Sequence, residues 1–188
     1  MKERYLKFFT ESVKLSAKMS YCERKKVGAI IVNDNRIIVN SWNGTVSGED
    51  NCCEEDFGDL SEPHTTSLAI DPDKSNEDIV KDFCSRLNIV CVEFEQIMNV
   101  IKLTYKRPSY RTKLSVVHAE ANAISFAAKE GIRLKDTTMF VTLSPCINCA
   151  NLIIQSGIKE VYYIEDYRDN SGINHLTDHG IIVNKINI

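Results

Sequence analysis

Residues 118–120 read His-Ala-Glu and residues 145–149 read Pro-Cys-Ile-Asn-Cys, and each run opens a segment with helical character. His118 to Lys129 is Ala-rich and is followed by Gly131, a natural helix stop. Cys146 to Ser156 has the same character up to Gly157. Thr138 to Leu143 between them is strand-like, and Glu160-Val161-Tyr162-Tyr163-Ile164 is strand-like again. The residues with the richest chemistry therefore stand at helix starts in a chain that alternates helix and strand, which points to an α/β fold.

The front of the chain extends the pattern. Leu6, Phe9, Val13 and Ala17 recur every three or four positions from Glu3 to about Ser20, the spacing of one buried helical face. Val27 to Asn33 and Arg36 to Ser41 are β-branched runs joined through Asn33-Asp34-Asn35, residues that tolerate turn geometry, and they predict a β-hairpin. Ile181-Ile182-Val183 is a candidate last strand. Helix, hairpin, helix, strand, helix, strand predicts an α/β/α sandwich around a central mixed five-stranded sheet. We read residues 1–188 as a single domain carrying an insertion at about 48–114. Seven acidic side chains and no basic one lie between Ser47 and Glu62, and Pro63, Pro72 and a polar stretch follow, as in a loop. Asp78 to Leu103 regains helical character, while Lys102 to Lys113 carries five basic residues and no acid.

A Cys-x-x-Cys at a helix N-terminus puts two sulfurs on one side, where the helix dipole favours thiolate. The His118 imidazole with the Cys146 and Cys149 thiolates makes a three-residue zinc site whose fourth position is open to water, the arrangement of a catalytic site. Zinc lowers the pKa of such a water toward about 7. Glu120, two residues after the histidine, can reach that water without coordinating and can carry protons from it to a ring nitrogen and then to departing ammonia. Pro145 fixes the turn before the first thiolate. Alone, the Cys-x-x-Cys also fits a redox pair or half of a structural zinc site, and His-x-Glu alone is common. Together, and in this order, they match the signature of zinc nucleobase deaminases.

Composition narrows the partners. A net charge of −3 argues against a surface built to grip a nucleic-acid polymer, so no polymeric nucleic acid is expected as a partner. The longest apolar runs, such as Ile30-Ile31-Val32, are too short to cross a bilayer, and the charged N-terminus is unlike an export signal, so no membrane association is expected. The expected location is the cytoplasm, the host's if the source is a phage. Seven cysteines, an odd number in a chain of this size, read as thiols and thiolate ligands rather than disulfides.

Several stretches together resemble the deoxycytidylate (dCMP) deaminases of the cytidine deaminase superfamily, in particular those of bacterial and phage type. They are Cys22-Glu-Arg-Lys-Lys-Val-Gly-Ala, Ser41-Trp-Asn-Gly-Thr-Val-Ser-Gly, His118-Ala-Glu-Ala-Asn-Ala-Ile, Leu143-Ser-Pro-Cys-Ile-Asn-Cys-Ala and Ile153-Ile-Gln-Ser-Gly-Ile-Lys-Glu-Val-Tyr-Tyr. The likeness covers about 1–46 and 115–185. It implies a cytidine-deaminase-like fold and zinc-dependent hydrolysis of dCMP to dUMP with release of ammonia, supplying dUMP for thymidylate synthesis. It also implies that Asn43 hydrogen-bonds the sugar or base, that Arg24 grips the 5′-phosphate, and that Ala119 and Tyr163 line the nucleotide pocket. A guanidinium suits phosphate because it can donate two parallel bonds. Without the resemblance, Asn43-Gly44 reads as a turn, Arg24 with Lys25 and Lys26 as a solvated basic turn, and Tyr163 as a core strand residue.

Regulation follows from the same likeness: activation by dCTP, inhibition by dTTP, magnesium on the triphosphate, and a homo-hexamer. The implied effector site is Asn43, Gly44, Thr45 and Gly48, with Lys129 as a further contact; small residues there let backbone amides approach phosphate. Val46 stands where the family carries proline. The resemblance further implies a second, structural zinc on Cys22 and Cys52, with His64, Cys53, Cys84 or Cys91 completing it; free cysteines are the alternative. Rival functions are a zinc deaminase of free cytidine or of a tRNA adenosine, and a non-catalytic zinc or nucleotide-binding module. The module would have no need of Glu120.

Overall fold

Apolar side chains alternate along the central strands, so one sheet feeds two cores. The computed structural model describes residues 1–56 and 110–186. In order they form α1 (Glu3–Lys18), β1 (Gly28–Asn33), β2 (Arg36–Trp42), β3 (Glu54–Asp56), β4 (Tyr110–Thr112) and α2 (Ala119–Lys129). Then come β5 (Thr138–Leu143), α3 (Ile147–Ser156), β6 (Glu160–Glu165), α4 (Ser171–Asp178) and β7 (Ile182–Lys185). The five-stranded sheet runs β2-β1-β5-β6-β7, and β3 pairs with β4 separately. β1 is antiparallel to β2 and β5, whereas β5, β6 and β7 are mutually parallel, so the sheet is mixed as expected. Asp34 and Asn35 adopt φ of 46° and 60°, the left-handed pair that closes a two-residue hairpin with the strands' own twist.

On one face Ile30, Val32, Phe140 and Tyr162 pack with Phe9 and Val13 of α1. Phe140 stacks on Tyr162 with ring centroids 4.8 Å apart and meets Phe9 at 5.3 Å. On the other face Ala29, Ile31, Met139, Val141, Val161 and Tyr163 pack with Ala123 and Ala127 of α2, Ala150 and Ile153 of α3, and Leu176 of α4. Small residues dominate the inner side of α2, which lets it approach the sheet closely. Gly28 is needed because a Cβ there would lie 2.5 Å from the Val13 carbonyl oxygen and 2.6 Å from the Ala17 nitrogen. Helix α1 therefore rests directly on the start of β1.

Three features depart from the sequence reading. Helix α4 was not expected, because Ser-Gly-Ile-Asn-His-Leu-Thr-Asp offers only Ile173 and Leu176 as an apolar pair. The β3–β4 pair was not expected, since three-residue strands are too short to show a period. Cys22 and Cys53 form a disulfide, against the expectation of thiols throughout. The chain divides into two units, Met1–Glu55 with Thr112–Ile188, and Asp56–Arg111. The expected helical stretch Asp78 to Leu103 and most of the basic stretch Lys102 to Lys113 lie outside the described residues. Among the described residues no helix is long and apolar enough to cross a membrane.

Candidate active site

Parallel pairing of β5 with β6 brings Leu143 beside Glu165, so the C-terminal ends of both strands lie at one edge of the sheet. β1 starts at that edge and β2 ends there: Gly28 pairs with Trp42, and the Gly28 N–H donates to Thr142 Oγ1 at 3.1 Å. Ligands of open α/β sheets favour such a crevice beyond the carboxyl ends of the strands.

His118 and Cys146 are the N-cap residues of α2 and α3, each with extended backbone and no side-chain capping bond. The two side chains face each other across the helix starts. His118 Nδ1 lies 3.6 Å from Cys146 Sγ and 3.4 Å from Cys149 Sγ. Zinc held tetrahedrally at about 2.0 Å from nitrogen and about 2.3 Å from sulfur would require roughly 3.5 Å between the two donors. The donor set and its spacing therefore fit zinc. All three ligand atoms lie within 4.8 Å of one another. Cys149 is buried, Cys146 is half-buried and His118 is exposed, so the cluster opens to solvent on the histidine side.

The thiols share a proton unequally. A hydrogen bond from Cys149, and then one from His118, holds Cys146 down at about 4, while the bond with Cys146 pushes Cys149 up. The same contact with Cys146 raises His118. Glu120, in the first turn of α2, is only 4% exposed, and burial pushes its carboxyl up to about 7. A carboxyl near neutrality, beside a candidate zinc site, is suited to taking up and returning protons.

Several backbone anchors set these groups in place, and periodicity showed none of them. Ser41 Oγ donates to the Ala119 carbonyl at 2.7 Å and Asn122 Nδ2 donates to the Trp42 carbonyl at 3.1 Å, tying the start of α2 to the end of β2. Buried Ser144 donates its N–H to the Glu165 carbonyl at 2.8 Å, and its Oγ accepts the Tyr167 N–H at 2.7 Å. Gly172 of α4 abuts the ligand turn: a Cβ there would fall 2.0 Å from the Pro145 oxygen. The only sequence signals for these were the residues themselves within Leu-Ser-Pro-Cys and a lone glycine in a polar segment.

Of the expected substrate residues, Asn43 directly follows the end of β2 at this edge. Asn43 is buried, its Oδ1 accepting the Val27 N–H at 2.8 Å and its Nδ2 donating to the Lys25 carbonyl at 3.0 Å. One amide N–H and one lone pair remain for a ligand. Arg24 is exposed and donates from Nη1 to Thr112 Oγ1 at 3.3 Å. Lys25 is ion-paired with Glu165. Ala119 is fully buried. Tyr163 is 8% exposed and sits in the core facing α2 and α3; burial first, and Asp166 next, raise its hydroxyl.

The remaining expectations are distributed differently. Gly44 is bridged to Val117, one residue before His118, and Thr45 and Gly48 follow, Gly48 with φ of 95°. Lys129 is exposed at the far end of α2, about 16 Å along the helix from His118. Cys22 and Cys52 are not brought together. Cys53 faces inward with Val116 and is bonded to Cys22, whereas Cys52 points outward and donates to the Glu54 carbonyl at 3.2 Å. A sulfur already in a disulfide is no thiolate ligand, so the Cys22–Cys52 zinc pair is corrected to a Cys22–Cys53 disulfide. His64, Cys84 and Cys91 lie outside the described residues.

Residues 2–165 match the family described as the cytidine and deoxycytidylate deaminase zinc-binding region. The chain belongs to that deaminase family. The deoxycytidylate deaminase of Enterobacteria phage T4 is 35% identical over 162 residues, covering 83% of this chain and 75% of its own length. A probable deoxycytidylate deaminase of Drosophila melanogaster is 31% identical over 160 residues, 85% of this chain and 58% of its own. Among solved structures, the dCMP deaminase of cyanophage S-TIM5 in complex with dCMP and dUMP superposes with a TM-score of 0.67. It has 29% identity and coverage of 99% of both chains. The family's zinc-binding character and the His118, Cys146, Cys149 donor set agree.

Proposed function

We infer that this deaminase hydrolyses dCMP to dUMP and ammonia, with His118, Cys146 and Cys149 as zinc ligands and Glu120 as the proton carrier. The observation that carries the reading is the spacing of the three donors around one point, with a buried carboxyl of near-neutral pKa in the adjoining helical turn. The relatives named as dCMP deaminases, and the bound dCMP and dUMP of the cyanophage structure, support the choice of substrate.

Zinc, when bound, acts as a Lewis acid that makes water nucleophilic at neutral pH. Glu120 takes a proton from the attacking water and delivers it to N3 of the cytosine ring, which lets C4 accept the oxygen. It then carries the second proton to the exocyclic amine, which leaves as ammonia as the C4 carbonyl forms. Asn43 offers its free N–H and lone pair to the sugar, held in place by Val27 and Lys25. Arg24 meets the 5′-phosphate at the exposed rim, and Ala119 and Tyr163 form the inner wall.

Regulation is proposed on the same chain. dCTP and dTTP, with magnesium, bind around Asn43, Gly44, Thr45 and Gly48; Gly44 has no heavy atom within 4 Å of the side-chain position it lacks, while its N–H and carbonyl are paired with Val117. Because Lys129 lies a helix length away, the two parts of this effector site are assigned to different subunits of a homo-hexamer. A second zinc on Cys22 and Cys52 is not part of the proposal.

The test is initial rates on dCMP, deoxycytidine, cytidine and a tRNA substrate, each with and without dCTP and dTTP. Preference for dCMP supports the reading, and faster turnover of cytidine or tRNA overturns it. Loss of the dCTP effect alone overturns only the regulatory part.

A further inference from the structure

The turn from Cys22 to Val27, which carries Arg24, belongs to no helix or strand, so other groups must fix its shape. On its inner side Asn43 takes the Lys25 carbonyl and the Val27 N–H. On its outer side one carboxylate oxygen of Glu54 accepts two successive backbone N–H groups, of Glu23 at 3.1 Å and Arg24 at 3.2 Å. Successive N–H groups converging on one anionic oxygen form a nest, and charge-assisted bonds of this kind are about twice as strong as neutral ones.

Glu54 binds the backbone of Arg24 and leaves its guanidinium alone. Thr112 takes one of the five guanidinium donors, and among the described residues the side chain has no carboxylate partner. Enough donors remain for a bidentate grip. Lys25, by contrast, is held by Glu165. Glu54 on β3 and Thr112 on β4 thus brace Arg24 from the short two-stranded sheet, whereas His118, Cys146 and Cys149 stand at the starts of α2 and α3.

We propose that Glu54 is a positioning residue for phosphate recognition: it holds the 22–27 turn so that Arg24 faces the 5′-phosphate, and so makes the enzyme select nucleotides over nucleosides. This rests on the dCMP reading given above. Glu54 touches neither the substrate nor the reacting atoms. It acts through KM for phosphorylated substrate and not through the chemical step.

The experiment compares dCMP with deoxycytidine on the zinc-loaded native enzyme and on Glu54→Ala, Glu54→Gln and Thr112→Val. Glu54→Ala raises KM for dCMP about tenfold with kcat within twofold of native, while kcat/KM for deoxycytidine is unchanged. Glu54→Gln, which keeps an acceptor oxygen, recovers most of the loss. Thr112→Val preserves shape, frees the guanidinium and raises KM for dCMP about threefold, so the proposal stands or falls on this variant if Glu54→Ala does not fold. Equal loss on both substrates, or a dCMP preference that survives Glu54→Ala, overturns the inference alone. A native enzyme that does not prefer dCMP overturns the substrate reading and this inference with it.

Discussion

Replacing Gly172 by alanine tests whether α4 sets the metal ligands. The new Cβ would lie 2.0 Å from the Pro145 oxygen and 2.9 Å from the carbonyl carbons of Pro145 and Cys146. Ordinary contacts between such atoms begin above about 3.2 Å, so something must move by about 1 Å. All three obstructing atoms are backbone, so no side chain can swing aside. Either α4 lifts from the core, exposing the fully buried Leu176, or the Pro145–Cys146 peptide shifts and takes the Cys146 sulfur with it. Overpacking of this kind costs about 1–3 kcal/mol, and displacing groups that orient ligands typically lowers metal affinity roughly 10- to 100-fold. Competition against a chromophoric chelator measures the zinc affinity. Gly44→Ala is the control, because nothing lies within 4 Å of its added Cβ and its zinc affinity should match native. Zinc affinity and dCMP turnover within twofold of native in Gly172→Ala would refute the reasoning.

Asn43→Ala strands the Val27 N–H and the Lys25 carbonyl and should cost about 2–4 kcal/mol in urea unfolding, besides weakening substrate binding. A loss of activity with unchanged stability would leave Asn43 with a substrate role and no structural one. Phe140→Ala empties the centre of the α1 face and should cost about 3–5 kcal/mol, lowering Tm by roughly 10 °C. A shift under 2 °C would contradict the packing described. Removing zinc with a chelator should abolish turnover, lower Tm and be reversed by added zinc; activity that persists in metal-depleted protein counts against the ligand set. Alkylation of denatured, unreduced protein should spare Cys22 and Cys53, and labelling of both would show them to be thiols.

The parts of the fold that were legible in sequence are those whose periodicity is long. Leu6, Phe9, Val13 and Ala17 marked α1, and the β-branched runs marked the hairpin, because each repeats its pattern over several turns or pleats. Short elements carry no such repeat, which is why α4 and the β3–β4 pair were missed. The candidate zinc ligands were legible because metal chemistry demands particular residue types at fixed spacing. What stayed hidden is whatever depends on tertiary approach. Asn43 looks like a turn residue until β2 delivers it against Lys25 and Val27. Arg24 is favoured over Lys25 in sequence for its bidentate guanidinium, and the fold adds that Glu165 holds Lys25. Adjacent Cys52 and Cys53 cannot be told apart by spacing, and the inward turn of the chain before β3 selects Cys53 for the disulfide. Glu54 is one acid among seven in its segment, and only the fold singles it out.

Glu120→Gln is nearly isosteric and removes the proposed proton carrier while leaving His118, Cys146 and Cys149 in place. The decisive measurement is ammonia release from dCMP by the native and variant enzymes, with zinc counted in the same samples. Native turnover, with a loss of at least about a thousandfold in the variant at unchanged zinc content, is the predicted result. A zinc-loaded Glu120→Gln protein that still converts dCMP at the native rate would contradict the account.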